Sequence, residues 1–535
     1  MTSDCRFEQM IMTEAERDAF LSRVRPGISP DDYRTIEGVF HALPQIVALI
    51  ERDPSRALNK LRHLLFGPKT EKTARVCPGS APSAPPTRPP KGKRKGHGRA
   101  KAKNYTGAKR VRVPHSHLKP ADPCPHCRKG TLRAQKSPSI ILRIVGSAPI
   151  TATAYELERL RCDACGEVFT AKAPVEAGTQ KYDPSVAVII AMMRYGSGMP
   201  HYRLARLQES MGIPMPESTQ WEVMEPLSEQ ARPIFEALVK RAADSPLFHN
   251  DDTPMRILDL RRPGTASAAS IDPERKGTFT SNILAEVAQH PVALYFTGWR
   301  HAGENIATLL AQRAADLEPP IQMCDALSCN TSSEFKTILA HCLSHGRREI
   351  VTVAASFPEE SRHVLESLKA VYKVDAQAKE QGMDPHARLA HHQIHSLPVL
   401  ERLETWMREQ IDGKKVEPNS GFGKAIAYLR KHWKELTLFT RIAGAPLDNN
   451  ACERALKKAI LHRKNSLSYK TLNGARVGDL FMSLIQTCQL NRINPYEYLS
   501  AIATHAEAVK SHPLAWLPWN YPRDETTHDP PGPTA

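Results

Sequence analysis

Two pairs of cysteines and three widely separated carboxylates are the residues of this chain whose types and spacing could do chemistry. Cys124-Pro-His-Cys127 and Cys162-Asp-Ala-Cys165 are two C-x-x-C knuckles. Each knuckle can set two thiolates on one tetrahedral ion, and four thiolates around a Zn²⁺ ion make a closed structural site. His117 and His126 are the substitute ligands. The plain alternative is four reduced thiols in a small core. A closed site leaves no position for a reacting molecule, so this module binds or scaffolds.

The carboxylates are Asp251, after PLFHN; Asp325, after IQMC; and Glu453, in LDNNACERALKKAILHRKN. The first two end strand-like runs, and the third sits on a helix-like run. Strand ends of an α/β sheet bring distant residues together, and a packed helix can add a third. Three carboxylates can hold two Mg²⁺ ions, which serve the attacking and leaving oxygens of a phosphodiester. Taken singly, each is more often a turn or cap residue, and the Glu453 segment also reads as an amphipathic helix with a solvated face. Lys457 lies one helical turn from Glu453. Asn449 and Asn450 lie one turn before it, placed to act as caps or donors. A rival cluster, His386, His391, His392 and His395, has two imidazoles four apart on a helix. It lacks the Glu of H-E-x-x-H and reads as a solvated, basic face.

The elements that must position these groups follow from periodicity. Residues 31–72 carry apolar residues at three and four and read as helices, with breaks at Pro44 and Pro54. Residues 73–114 are rich in Pro and Gly and then basic, and cannot fold alone. Within them, 91–110 hold nine Lys or Arg and no acid, which reads as a tether or a phosphate-binding arm. Residues 115–178 form the Cys module, with ILRIVG and TAYELERLR as its strands. HYRLARLQESMGIPMPESTQWEVME then reads as helix, turn and helix, the pattern of a DNA-reading helix-turn-helix. From 246, PLFHND, SNILAEVAQ, PVALYFTGW, PIQMCDA and KTILAHCLS read as strands, with the helix ENIATLLAQR among them. This is an α/β core. Helices fill 358–440. The expected units are 1–72, 73–114, 115–178, 179–245, 246–480 with a helical insertion at about 358–440, and 481–535.

Composition narrows the partners. The chain has 535 residues, 41% of them hydrophobic, and a formal charge of +16. That charge suggests a polyanion, with nucleic acid first. No run reaches the roughly 18 apolar residues of a membrane helix; VAVIIAMM is ended by Arg194. The N-terminus lacks the pattern of a signal peptide. A soluble, intracellular protein is expected, so its eleven cysteines should be thiols or ligands.

The ordered set LRHLLFGPKTEK (61–72), KGHGR (95–99), the paired knuckles, HNDDTP (249–254), DALSCN (325–330), CLSHGRRE (342–349), LDNNACERALKKAILHRKN (447–465), LNRINPYEYL (490–499) and HPLAWLPWN (512–520) resembles the insertion-sequence 66 family of transposases. The resemblance spans nearly the whole chain. It implies a multidomain α/β and α protein: a ribonuclease-H-like core with an Asp-Asp-Glu triad and a helical insertion, preceded by a zinc module and N-terminal helices. Carried over, the triad is Asp251, with Asp252 as its neighbour and fallback, Asp325 and Glu453. DALSCN departs from the Gly- or Ala-Tyr pattern that relatives carry after the second Asp. Cys342 and His345 match the family's C-x-x-H and read as a structural pair.

The activity implied is binding of terminal inverted repeats of a bacterial insertion sequence, with metal-dependent cleavage and strand transfer. Two Mg²⁺ ions, replaceable by Mn²⁺, and one structural Zn²⁺ are the implied cofactors. Lys93, Arg94, Lys95 and Arg99 of the arm, and Arg454, Lys457, Lys458, Arg463 and Lys464 around Glu453, are the expected phosphate contacts. Partners would be double-stranded DNA, both terminal and target, further copies of the chain on DNA, and small accessory proteins of the same element. The setting would be the bacterial cytoplasm and nucleoid, with no membrane. The alternative is a zinc-bearing DNA-binding or regulatory protein with an inactive, domesticated core.

Overall fold

The computed structural model describes residues 14–27, 117–133, 146–161, 168–261, 277–331 and 334–522, with a few single positions beside them. Most of the helices expected over 31–72, the arm carrying Lys93, Arg94, Lys95 and Arg99, and the second knuckle, Cys162 and Cys165, lie outside the described residues. Ahead of them, α1 spans Glu14–Val24.

In the Cys module, a turn closes on itself around the first knuckle. The Cys124 amide donates to the Gly130 carbonyl (2.7 Å) and the Arg128 amide to the Cys124 carbonyl (2.8 Å). The strands β1 (Arg159–Arg161) and β2 (Val168–Thr170) pair antiparallel, Leu160 opposite Phe169. Only the last three residues of TAYELERLR form a strand, and their partner is Val168–Thr170 beyond the second knuckle; half of ILRIVG, the partner expected from the sequence, lies outside the described residues.

The α/β core is a five-stranded mixed sheet. Its strands are β3 (Leu247–Pro254), β5 (Phe279–Val287), β6 (His290–Gly298), β7 (Ile321–Cys324) and β8 (Ile338–His341). The short β4 (Arg256–Ile257) lies outside it, paired parallel with β9 (Ser468–Tyr469). The spatial order is β6-β5-β3-β7-β8. A meander of antiparallel strands, β3-β5-β6, joins a parallel half, β3-β7-β8. The first strand thus sits at the centre, and the chain must cross over to add β7 and β8. The α5 helix (Ala302–Leu310) makes the first crossover. Val292, Ala293, Leu294 and Tyr295 in β6 are all buried, so helices cover both faces of the sheet there.

The helices before the sheet fall where the sequence pattern puts them. α2 (Pro184–Ala191) is capped by Asp183, whose carboxylate accepts from the Ser185 amide (2.9 Å). α3 (His201–Ser210), a turn with Gly212 at φ +75°, and α4 (Glu217–Ala242) follow. The α4 helix runs 26 residues and buries Met224, Leu227, Ala231, Ile234 and Leu238. One apolar cluster joins Ile150, Val188, Met224, Ile283, Phe481, Tyr498 and Trp516. The helix pair and the C-terminal helices, α13 (Leu472–Leu490), α14 (Pro495–Thr504) and α15 (Ala506–Ser511), therefore share one core with the antiparallel half of the sheet.

A second apolar cluster covers the parallel half. Met323 and Ala340 of the sheet pack with Ile350, Leu365, Leu368, Leu403, Phe422 and Leu429. These come from α6 (Leu343–Val353), α7 (Pro358–Glu380), α9 (Leu397–Asp412) and α10 (Gly421–Lys431); α8 (Pro385–His395) and α11 (Trp433–Leu436) complete the insertion. One sequence expectation fails here. His392 is buried on α8, facing Ser396 (2.9 Å) and Asp375 (3.4 Å) rather than solvent. Asp375 is itself buried and also holds Arg388 and Lys379, so this polar knot ties α7 to α8. Among the described residues no helix is long and apolar enough to cross a membrane.

Candidate functional site

Asp251 lies in the central strand, β3, opposite Asn282 of β5. Successive strand residues face opposite sides of a sheet, and Asp251 and Asp252 part accordingly. Asp252 accepts from His301 Nδ1 (2.8 Å), at the start of α5. Asp251 instead has Asp325 and Glu453 among its charged neighbours. Asp325 directly follows β7, the parallel neighbour of β3. Glu453 is in the first turn of α12 (Asn450–Ser466). The sheet and the helix thus gather three residues scattered over the sequence.

Electrostatics register the gathering. Burial pushes the Asp251 carboxyl up to about 7, and the charges of Asp325, Asp252 and Glu453 push the same way; the Asp252 amide, donating at 2.8 Å, opposes them. Glu453 Oε1 is buried without a hydrogen-bond partner, 3.7 Å from His345 Nδ1, which is likewise unpartnered. Like charges held together beside an unsatisfied oxygen carry a cost that a bound cation would relieve.

Glu453 also falls within 4.8 Å of Cys342 and His345 ligand atoms. Two further such groups among the described residues are Asp252/His301/Cys329 and His341/His432/Glu435.

The loop after β7 is fastened to its own carboxylate. Asp325 Oδ1 accepts from the Leu327 amide (3.1 Å) and from Asn330 Nδ2 (2.6 Å). The Asn330 carbonyl in turn accepts from Asn250 Nδ2 and Gln322 Nε2, both at 2.8 Å. Asn250 precedes Asp251, so one buried amide network ties the two Asp-bearing strands and the DALSCN loop together. Gly303 lets α5 press onto this loop; a Cβ there would collide with the Thr331 carbonyl.

Asn449 reads as a cap in the sequence, and it does something else. Its side chain makes no capping bond. Its amide donates to the Asn250 carbonyl (3.0 Å), and its Oδ1 meets His249 Nδ1 (3.0 Å). The backbone amide donates to Cys342 Sγ (3.2 Å), which gives the C-x-x-H cysteine a structural task. Cys452 Sγ lies 3.4 Å from the Asn282 carbonyl, and Tyr295 Oη donates to the Ala455 carbonyl (2.7 Å). These contacts hold the Glu453 helix across β3, β5 and β6. Asn450 folds back on Asp448.

The cations of α12 divide. Arg454, Lys457 and Lys464 are exposed. Lys458 turns inward to the Gly196 carbonyl and Gln489, and burial lowers its pKa to about 8. Arg463 donates to the Thr253 hydroxyl (2.7 Å) and the Pro254 carbonyl (2.8 Å), bracing β3 just beyond Asp251. In the Cys module, backbone hydrogen bonds from Lys129 and Gly130 hold the Cys127 thiol pKa below its usual range.

The uncharacterized protein y4jD of Sinorhizobium fredii (strain NBRC 101917 / NGR234) is 24% identical over 390 residues, 69% of this chain and 72% of its own length. Its companion from the same strain, the uncharacterized protein y4hP, is 22% identical over 387 residues, 68% and 67% of the two chains. No solved structure gives a significant match. The transposase IS66 family matches residues 180–477, more than half of the chain and the whole of the sheet, the insertion and the Glu453 helix; the chain belongs to that family.

Proposed function

We propose that this protein cuts and rejoins DNA at the ends of a bacterial insertion sequence, with Asp251, Asp325 and Glu453 as the catalytic carboxylates of a ribonuclease-H-like core. The convergence of those three residues carries the reading. The mixed sheet, with its first strand central and its second antiparallel, supports the fold assignment. Membership of a transposase family supports the activity. Asp251, rather than Asp252, is the first carboxylate, because Asp252 is engaged with His301 on the other side of the strand.

The donor set fits hard divalent cations: three carboxylates, mutual repulsion around Asp251, and an orphaned Glu453 oxygen. Bound Mg²⁺, two ions with Mn²⁺ as a substitute, would supply Lewis acidity at the attacking and leaving oxygens of the phosphodiester. Everything else falls to the chain. The amide network around Asn250, Asn330 and Asn449 holds the carboxylates in register. Asp251 gives up its proton when positive charge arrives. The exposed Arg454, Lys457 and Lys464 grip flanking phosphates, while Lys458 and Arg463 brace the helix. In strand transfer a DNA 3′-hydroxyl attacks phosphorus and the old P–O bond breaks, so no protein nucleophile is required.

The tight turn that holds Cys124 and Cys127 together supports one structural Zn²⁺ held with Cys162 and Cys165. The arm of Lys93, Arg94, Lys95 and Arg99 adds sequence-independent grip. Helices α3 and α4 form the helix-turn-helix that reads the terminal repeats. Copies of the chain would assemble on the ends, with accessory proteins of the same element, at the bacterial nucleoid. Incubation with duplex carrying the element's terminal repeats tests the reading: strand scission with Mg²⁺ and none with EDTA supports it, and DNA binding without scission under either condition would favour an inactive, regulatory descendant.

A further inference from the structure

We propose that His341, His432 and Glu435 form a site for a Zn²⁺-class divalent ion that clips the helical insertion to the edge of the catalytic sheet. His341 ends β8, the outermost strand of the parallel half, in register with Cys324, the residue before Asp325. His432 links α10 to α11, and Glu435 lies in α11. One ligand atom from each residue falls within 4.8 Å of the others.

The His341 ring is the telling member. It is only 5% exposed, yet its Nδ1 has no hydrogen-bond partner. A buried, unsatisfied imidazole nitrogen is costly unless something fills the space before it. Beside the ring is a second imidazole, His432, with ring centroids 5.0 Å apart and planes inclined by 41°. The Glu435 carboxylate acts on both rings. The β7–β8 register sets His341 opposite Cys324, so the ring stands beside the strand end that carries Asp325.

Two imidazoles and one carboxylate suit Zn²⁺, or Co²⁺ in its place, and not Mg²⁺, which takes oxygen donors. His432 and Glu435 are partly exposed, so water reaches the fourth position. The ligands come from a strand end and from an insertion remote in sequence. A bound ion would therefore cross-link the insertion to β8, beside the backbone of Asp325.

The test is Co²⁺ and Zn²⁺ titration of the full-length protein in excess Mg²⁺, for wild type, His432→Ala and Glu435→Gln. Co²⁺ on thiolates gives a charge-transfer band, whereas Co²⁺ on imidazole and carboxylate gives none. The expected result is one equivalent fewer in His432→Ala, with the thiolate band unchanged and native circular dichroism. Glu435→Gln, an isosteric change at a partly exposed residue, should weaken that equivalent at least about tenfold. Equal stoichiometry and affinity in wild type and Glu435→Gln, or a wild type whose every tight equivalent carries the thiolate band, would overturn the site.

Discussion

Replacing Asp251 by Asn should stabilise the metal-free protein at alkaline pH and do little at acidic pH. The Asp251 carboxyl is raised from an ordinary 3.8 to about 7, first by burial and then by its carboxylate neighbours. Above pH 3.8 the unfolded chain releases this proton while the folded chain keeps it. Wild-type stability therefore falls as pH rises toward 7 and stays low beyond it. A shift of about three units, at about 1.4 kcal/mol each, is worth about 4 kcal/mol at pH 8. Asn keeps the acceptor for the Asp252 amide but carries no charge. Urea unfolding in EDTA at pH 5, 6, 7 and 8 should show the variant's advantage growing from about 1–2 to about 3–4 kcal/mol. Other buried acids, such as Asp479, are present in both proteins and cancel from the difference. Mg²⁺ should stabilise wild type and not the variant. An advantage flat across this range would refute the claim that Asp251 is a half-buried, repelled carboxylate.

Asn449→Ala should cost about 2–3 kcal/mol in the same assay, because it strands the half-buried His249 Nδ1 and the buried Asn250 carbonyl. Its strand cleavage should fall more than its DNA binding, since the change frees the Glu453 helix and leaves the exposed cations in place. A loss under about 0.5 kcal/mol would show that Asn449 is not the tie. Neutralising Lys93, Arg94, Lys95 and Arg99 should flatten the salt dependence of duplex binding by roughly 0.9 for each phosphate no longer neutralised, while preference for terminal repeats survives. An unchanged salt slope would make the arm a tether.

Much of the core could be read from local pattern. Runs such as PVALYFTGW and IQMC are buried strands because their neighbours in sequence already carry the apolar signal, and Asp251 and Asp325 stand at or beside strand positions for the same reason. The insertion helices are likewise visible in their three-and-four spacing. What escapes a local reading depends on partners far along the chain. Asn449 has the chemistry of a cap, but its amide is spent on β3, some two hundred residues away. His392 sits on a histidine-rich helix that looks solvated, and only the packing of α7 brings Asp375 to it. Lys458 and Arg463 share a basic run with Arg454, Lys457 and Lys464, and the tilt of α12 on the sheet decides which of them meet solvent. The helix pair over 201–242 has a legible turn at Gly212, yet nothing local announces that α4 shares its core with the C-terminal helices.

Single-turnover cleavage of a labelled terminal-repeat duplex, run for wild type and for Asp251→Ala, Asp325→Ala and Glu453→Ala, asks whether these three carboxylates cut DNA. Gel-shift binding should be measured on the same preparations. Wild type should show Mg²⁺-dependent scission, each variant a loss of at least about a hundredfold, and all four should bind within a few-fold of one another. Comparable scission by any one of the three variants would contradict it.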